Sequence, residues 1–318
     1  MQMHEKKRKV TIVGAGAVGS TFAFALAQSG LADEIALVDF FADLAKGQAM
    51  DLAQGGAFFP QVDIHAGDER DYADSDIVAI TAGAKQKPGQ SRLDLAGTTV
   101  SIMEKILPGL LAVAPHAVYI LVANPVDVVT YTSLKISGLS PTQMFGSGTV
   151  LDTSRLRYLV SLETGTAVQN IHAYVAGEHG DSEVPLWASA VIGNMPLSRW
   201  GTTKSGVPFD ADLCARIGHE VMESAYKIIE GKGVTNYAVG LAVSRIIAAV
   251  LNDEQRVLTI STLLDGWEGI SDVCMSVPTI VGREGAGRRL LPYISMAERD
   301  ALTTGAIHLR DIARSLGY

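Results

Sequence analysis

Short apolar runs alternate with longer helical stretches through the first half of the chain. The runs are apolar at successive positions, which is typical of strands covered on both faces of a parallel sheet. They are Lys9–Val13, Glu34–Asp39, Asp76–Thr81 and Ala117–Val122. The stretches between them predict helices at Ala17–Gln28, Ala42–Ala53 and about Ala96–Val113. This alternation predicts an α/β, doubly wound parallel sheet over residues 1–145.

The second half of the chain is less regular. It contains two apolar runs that predict strands, at Ile171–Val175 and Val257–Thr262, and two stretches that predict helices, at Ala211–Glu230 and Met296–Leu316. We therefore expect a C-terminal α+β domain over residues 146–318. The boundary is placed near Phe145, although no flexible linker marks it.

Composition narrows the class of protein. A chain of 318 residues that is 47% hydrophobic has room for about two domains with sizeable cores. A net charge of −8 argues against a nucleic-acid partner, and the basic cluster Lys6–Lys9 is interpreted as a solvated tail. No apolar run approaches the roughly 18 residues of a membrane span. Cys214 and Cys274 lack disulfide or zinc-site spacing, so we expect a cytoplasmic protein without a metal.

A glycine-rich loop follows the first predicted strand and opens the first helix. Its residues, Gly14-Ala15-Gly16-Ala17-Val18-Gly19, match G-x-G-x-x-G in the context that a Rossmann dinucleotide site requires. Gly14 permits a tight turn, Gly16 allows backbone to approach a pyrophosphate, and Gly19 allows helix and strand to pack closely. The helix N-terminus then offers free N–H groups to phosphate.

Asp39 ends the second predicted strand, where a carboxylate can accept hydrogen bonds from a ribose diol. It would repel a 2′-phosphate, and Phe40 rather than an arginine follows, so NAD is favoured over NADP. The alternative is an aspartate that only caps its own loop.

Three further stretches carry candidate chemistry. They are the polar loop Ala84–Arg92 after a strand, the pair Asp152 and Arg155, and His179 between glycines in Gly177–Asp181. Each has an ordinary alternative: a solvated loop with a solvated Arg92, a helix cap with a surface arginine, and a structural histidine. Taken together, however, these residue types match one reaction.

That reaction is hydride transfer between a nicotinamide and a 2-oxo acid. The developing alkoxide needs a proton, which a histidine with a near-neutral pKa can deliver. A carboxylate on its other ring nitrogen fixes the tautomer. One guanidinium can hold the substrate carboxylate by two parallel hydrogen bonds, and a second, brought in by a closing loop, can polarise the carbonyl.

These motifs closely resemble the lactate/malate dehydrogenase family, in particular its L-lactate dehydrogenase branch. The resemblance runs from Val10 to the C-terminal helix and includes Val122–Pro125 and Asp152–Arg155. It implies NAD as cofactor and pyruvate and L-lactate as substrates. The residues it would place at the dinucleotide are Gly14, Gly16, Ala17, Val18, Gly19, Asp39, Thr81, Ala82, Gly83 and Asn124.

The resemblance also assigns roles in catalysis. His179 would be the general acid/base and Asp152 its partner. Arg155 would bind the substrate carboxylate, and Arg92 would be the arginine of the loop. Asn124 would sit beside the substrate carbonyl, and Thr235 would line the substrate pocket.

Gln86 decides the substrate within the family, because malate dehydrogenases have an arginine at the matching position. That arginine would pair with the second carboxylate of oxaloacetate, whereas a neutral glutamine leaves this charge poorly compensated in a closed site. We therefore expect a strong preference for pyruvate.

Arg157 and His172 support an expectation about regulation. In bacterial lactate dehydrogenases that fructose 1,6-bisphosphate activates, an arginine and a histidine at the matching positions bind phosphate across a subunit interface. The resemblance thus implies an allosteric homotetramer. The alternative is a solvated helix arginine and an ordinary strand histidine.

Two rival functions remain open at this point. One is a malate dehydrogenase built like a lactate dehydrogenase, which Gln86 disfavours. The other is a nucleotide-binding or structural protein that keeps the fold without turnover. The combination of His179, Asp152, Arg155 and Arg92 argues against the second rival.

Overall fold

The computed structural model describes residues 7–84 and 92–318, and of residues 92–94 it describes the backbone only. In its described residues, the first half contains six strands, β1 to β6, and the helices α1 to α4. The strands are Lys9–Val13, Glu34–Val38, Asp63–Ala66, Ile77–Ile80, Val118–Leu121 and Met144–Gly146. The helices are Ala17–Ser29, Ala42–Gln54, Arg92–Val113 and Val126–Ser137.

The second half contains eight strands, β7 to β14, and the helices α5 to α8 within the described residues. The strands are Ile171–His172, Val175–Ala176, Val184–Pro185, Val191–Ile192, Met195–Pro196, Arg256–Leu264, Val273–Gly282 and Gly285–Arg289. The helices are Val150–Thr164, Ala211–Lys232, Tyr237–Leu251 and Met296–Ser315.

Six strands of the first half form the predicted parallel sheet, in the order β3-β2-β1-β4-β5-β6. The strand order reverses between β1 and β4, which is where ligands bind in a doubly wound fold. Apolar side chains fill both faces of the sheet, with α1 and α7 on one side and α3 and α4 on the other. The predicted doubly wound domain is confirmed.

The second half extends this sheet instead of forming a wholly separate one. The antiparallel strands β12, β13 and β14 join it at β6, where Ser261 pairs with Gly146. The remaining strands form two small antiparallel sheets that pack with α5, α6 and α8. The predicted α+β character is confirmed, while the domain boundary near Phe145 stays a prediction.

The strand predicted at Ile171–Val175 is wrong as a single element. The chain leaves one sheet and enters another within it, because β7 pairs with β10 whereas β8 pairs with β9. Between the two strands, the carbonyl of Ala173 accepts a hydrogen bond from Arg157 Nε and that of Tyr174 accepts one from the Leu186 amide. An apolar run does not reveal such a change of partner.

Helix α3 contains the one segment, Leu95–Val113, that is long and apolar enough to cross a membrane among the described residues. Its Met103, Leu107 and Leu110 side chains are fully buried among sheet residues of the core. Packing on the sheet therefore accounts for the apolar side chains on this face of the helix.

Candidate active site

The glycine loop between β1 and α1 has the geometry that its sequence predicts. Gly14 has φ +109°, and a Cβ there would lie 2.6 Å from the Ala82 backbone nitrogen. A Cβ at Gly19 would lie 1.9 Å from the Gly14 carbonyl oxygen. A Cβ at Gly16, by contrast, would meet no described atom within 4 Å. Gly14 and Gly19 thus allow close packing within the loop, and Gly16 leaves an open approach to its backbone.

The N-terminus of α1 meets the other requirement for binding a phosphate. Gly16 is its N-cap, no described side chain caps the helix, and its first turn contains no acidic residue. The first-turn amides, including those of Ala17 and Val18, have no partner within the helix. The positive end of the α1 dipole therefore faces the open side of the loop.

Asp39, just after β2, lies against this loop. Its Oδ2 accepts a hydrogen bond of 2.7 Å from the Ala15 amide, and its Oδ1 accepts one of 2.9 Å from the Phe41 amide. The carboxylate therefore does cap its own loop, as the alternative interpretation holds. Each carboxylate oxygen can nevertheless accept a further hydrogen bond, so these contacts leave the carboxylate able to bind a ribose diol.

The segment Thr81–Gly83, just after β4, lies between the glycine loop and Asn124. The amides of Thr81 and Ala82 donate to the Val13 carbonyl at 2.8 and 2.9 Å. A Cβ at Gly83 would lie 2.7 Å from the Ala123 side chain. The ends of β1, β4 and β5 thus converge at the position where the strand order reverses.

Asp152, Arg155 and His179 form one hydrogen-bonded cluster. Asp152 Oδ2 lies 2.6 Å from His179 Nδ1, and Asp152 Oδ1 accepts a bond of 2.7 Å from Arg155 Nη1. Only 2% of the Asp152 side chain is exposed, compared with 12% for Arg155 and 25% for His179. The carboxylate is thus buried behind the two groups that remain accessible, as an orienting residue should be.

The charges in this cluster keep the histidine protonated. Burial lowers the pKa of His179, but the Asp152 carboxylate overcomes it and raises the pKa to about 9. Burial likewise opposes ionisation of Asp152, and the His179 and Arg155 cations hold the pKa of that carboxyl below its usual value. The ring can therefore carry a proton at neutral pH, with Nε2 as the nitrogen not bonded to Asp152.

Sequence reasoning missed Asp127, which holds the His179 loop in place. This fully buried carboxylate in α4 accepts hydrogen bonds from the His179 amide at 2.7 Å and from Ser261 Oγ at 2.6 Å. Burial raises the pKa of Asp127 to about 6, although both hydrogen bonds oppose the rise. A lone aspartate in the apolar run Val126–Val129 was the available signal, because a buried charge needs partners.

We expect Asp127→Ala to lower the free energy of unfolding by about 2–4 kcal/mol, because it leaves the His179 amide and the Ser261 hydroxyl without a buried partner. Displacement of the loop should also lower kcat. Asp127→Asn is the matched control, since it keeps the shape and one acceptor oxygen and should lose less. Urea unfolding of the three proteins measures the difference, and equal stabilities would show that these bonds do not anchor the loop.

A cleft of about 170 Å³ joins the cluster to the glycine loop. Val18 and Asn124 lie at one part of its wall, and Arg155, His179 and Thr235 at another. Apolar side chains of the second half form a further part of the lining, and sequence reasoning did not find them. They are Leu151, Ala225, Ile229, Val239, Ala242 and Val243.

Gln86 and the Arg92 side chain, both predicted to contact substrate, lie outside the described residues. The backbone of Arg92 begins α3. Their assigned roles therefore stay predictions.

Glu183 is a second residue that sequence reasoning missed. Its carboxylate, the Asp152 carboxylate and the His179 ring place ligand atoms within 4.8 Å of one another. Burial and the neighbouring Asp152 charge raise the pKa of Glu183 to about 8. Such a set could hold a cation, but the 2.6 Å hydrogen bond between Asp152 and His179 already occupies two of its atoms.

Arg157 and His172 lie in a different groove, which Arg245 and Arg256 also line. The Arg157 guanidinium lies 5.0 Å from the Tyr174 ring centre, and its Nε donates to the Ala173 carbonyl. Burial and the Arg256 charge lower the pKa of Arg157. The His172 side chain is exposed on β7. This groove is therefore rich in cationic side chains and separate from the catalytic cleft.

Comparisons with known proteins agree with this arrangement. Residues 8–146 match the NAD-binding domain of lactate/malate dehydrogenase, and residues 149–315 match the α/β C-terminal domain of the same family. The L-lactate dehydrogenase of Bifidobacterium animalis subsp. lactis is 52% identical over 98% of both chains. That of Treponema denticola is 51% identical over 97% of this chain and 98% of its own.

Two solved structures are also similar over nearly the full length. A lactate dehydrogenase from a Medee basin deep-sea metagenome, MGS-M5, superposes with a TM-score of 0.93 at 35% identity, covering 99% of this chain and all of its own. The minor L-lactate dehydrogenase of Enterococcus mundtii superposes with a TM-score of 0.94 at 34% identity, covering 98% of this chain and 99% of its own. The chain therefore belongs to the lactate/malate dehydrogenase family of NAD-dependent oxidoreductases.

Proposed function

We propose that the protein is an NAD-dependent L-lactate dehydrogenase, which interconverts pyruvate and L-lactate as the last step of lactic fermentation. The observation that carries this proposal is the Asp152–His179–Arg155 cluster, which shares one cleft with the glycine loop and Asn124. The names of the relatives from Bifidobacterium animalis and Treponema denticola support the same activity.

The residues at the glycine loop suit the dinucleotide. The backbone of Gly14–Gly19 and the uncapped start of α1 would hold the pyrophosphate, and Asp39 the adenosine ribose. Thr81–Gly83 and Asn124 would line the nicotinamide side. Bound there, NADH supplies the hydride for C2 of the substrate.

His179 supplies the proton. Its Nδ1 hydrogen donates to Asp152, so the proton on Nε2 is the one available to the substrate carbonyl oxygen. The raised pKa keeps this proton on the ring until the alkoxide develops. In lactate oxidation the neutral ring takes the proton back.

Arg155 orients the substrate. One of its terminal nitrogens is bonded to Asp152, which fixes the plane of the guanidinium in the cleft. A fixed guanidinium can bind the substrate carboxylate with two parallel hydrogen bonds. Thr235 lines the same pocket, and Arg92 would polarise the carbonyl when the loop before α3 closes.

The activity is tested by incubating the protein with NADH and pyruvate and identifying the product by chiral chromatography. The proposal expects stoichiometric L-lactate. A protein that binds NADH without oxidising it would support the rival of a nucleotide-binding protein without turnover, and D-lactate as the product would contradict the stereochemistry.

Gln86→Arg should shift activity from pyruvate toward oxaloacetate, because an arginine at this position can pair with the second carboxylate of a dicarboxylic substrate. The ratio of kcat/KM values for the two substrates measures the shift, with Gln86→Lys as a control for charge without the planar guanidinium. If Gln86→Arg stays as selective for pyruvate as the parent, Gln86 is not the discriminator.

We further propose that the groove containing Arg157 and His172 binds fructose 1,6-bisphosphate in a homotetramer. Cationic groups brought together from neighbouring subunits would repel one another unless an anion bridged them, which links effector binding to assembly. Exposed apolar side chains on several helices support self-association. They are Leu44 and Met50 on α2, Tyr158 and Leu162 on α5, and Tyr237 and Leu241 on α7.

Addition of fructose 1,6-bisphosphate is therefore expected to lower the KM for pyruvate and to favour the tetramer. Arg157→Gln, with Arg216→Gln on the surface of α6 as control, should weaken both responses. Steady-state kinetics and analytical ultracentrifugation measure them. A titration that changes neither KM nor mass would remove the regulatory proposal while leaving the catalytic one intact.

We propose a cytoplasmic location for the enzyme. Both cysteines, Cys214 and Cys274, are free thiols in the described part of the chain, as is usual in a reducing compartment. The acidic net charge of −8 is also compatible with this location.

A further inference from the structure

The carboxyl of Glu183 has no evident task in the proposed mechanism, yet this half-buried residue lies beside the proton-transfer pair. It lies in the turn between His179 and β9, where its amide donates to the Gly180 carbonyl at 3.2 Å. Its Oε1 is buried and has no hydrogen-bond partner among the described residues. A buried carboxyl oxygen without a partner is costly, and such groups concentrate at functional sites.

The charged groups around Glu183 act in opposite directions. Asp152 of α5 and Asp181 of its own loop disfavour its carboxylate form, whereas His179 and Arg155 favour it. Tyr226 of α6 contributes a hydroxyl that donates to Asp181 at 2.7 Å. Burial is the largest influence, and together with Asp152 it raises the pKa of Glu183 to about 8. Near neutral pH the carboxyl is therefore largely protonated and uncharged.

We propose that Glu183 is a positioning residue for the catalytic proton. Its carboxyl ionises as the solution becomes alkaline, and the carboxylate then holds that proton on His179. This inference rests on the proposed function, since it concerns the acid of pyruvate reduction. The atoms involved lie within 4.8 Å, a distance at which an opposite charge raises a histidine pKa by about 1–3 units.

Two features make an ionisable Glu183 beside His179 useful for catalysis. A neutral Glu183 adds no second negative charge beside Asp152 at neutral pH, so the pair with His179 is undisturbed. Once Glu183 has lost its proton, its negative charge raises the pKa of His179. The ring therefore keeps its proton to a higher pH. Glu183 and His179 then titrate as a coupled pair, and the alkaline limit for reduction lies higher than Asp152 alone would set it.

The test compares the wild type, Glu183→Gln and the control Glu284→Gln. The amide has the size of the protonated acid but cannot ionise, and Glu284 is an exposed residue in the turn between β13 and β14. For each protein, kcat/KM for pyruvate is measured from about pH 6 to 10 and scaled to its own plateau. The alkaline inflection of Glu183→Gln should fall by about one pH unit, and that of Glu284→Gln should match the wild type.

A second readout uses the wild-type protein without substrate. The ring signals of His179, assigned in NMR spectra by their loss in His179→Asn, should show two steps, one from Glu183 and a later one from the ring itself. This measurement stands even if Glu183→Gln does not fold. A single step, or an unchanged or raised inflection in a folded Glu183→Gln, would overturn the proposal.

These outcomes are separable from failure of the proposed function. A wild type that cannot reduce pyruvate would refute the lactate dehydrogenase activity, while the NMR titration would still report on Glu183 and His179. A wild type that reduces pyruvate with the same alkaline limit as Glu183→Gln would refute the role of Glu183 alone.

Discussion

Replacing His179 with asparagine should lower kcat for pyruvate reduction by about 10²- to 10⁴-fold. Asparagine can still donate a hydrogen bond to Asp152, but it has no proton to transfer at neutral pH. The 2.6 Å contact with Asp152 and the raised pKa of His179 both support the proposal that this ring donates the proton. Binding of NADH should persist, because the glycine loop and Asp39 belong to other elements.

The control for this variant is the NADH dissociation constant, followed by the fluorescence of the bound nicotinamide. A large loss of kcat with unchanged NADH affinity supports proton transfer by His179. Retention of more than about a tenth of the wild-type kcat would contradict it, because general acid catalysis contributes more than that.

Arg155→Lys should have the second large effect, a fall in kcat/KM for pyruvate of about 10²-fold or more. Lysine keeps the positive charge but cannot make two parallel hydrogen bonds to a carboxylate. It also loses the fixed geometry that the 2.7 Å bond to Asp152 gives the guanidinium. Most of the loss should appear as a raised KM, because the contact forms when the substrate binds.

Arg216→Lys is the matched control, since Arg216 pairs with Glu163 and Glu220 on the surface of α6. Steady-state kinetics at saturating NADH compare the two variants. If Arg155→Lys keeps the wild-type KM, the substrate carboxylate is not bound by Arg155.

Much of the parallel domain could be predicted from hydrophobic patterning. β1 is found at its predicted bounds, Lys9–Val13, and α1 ends one residue beyond the predicted Gln28. Strands buried on both faces produce unbroken apolar runs, and glycine marks the turns around them. The pattern did not single out α7, whose residues are apolar on nearly every face.

The local sequence could not predict how distant segments meet. The split of Ile171–Val175 between two sheets depends on its partners β9 and β10, which the run itself does not encode. Asp127 and Glu183 were missed for the same reason. Glu183 becomes informative only when folding brings its carboxyl beside the His179 ring, and the lone Asp127 in its apolar run does not reveal which partners it meets.

The most direct test of the central claim compares pyruvate and oxaloacetate as substrates of the wild-type enzyme. Initial rates of NADH oxidation, followed by absorbance, give kcat/KM for each. The role proposed for Gln86, a neutral side chain at the second carboxylate of oxaloacetate, predicts a value for pyruvate at least about 10²-fold higher, because an unpaired charge in a closed site costs several kcal/mol. Equal values, or a preference for oxaloacetate, would contradict the account.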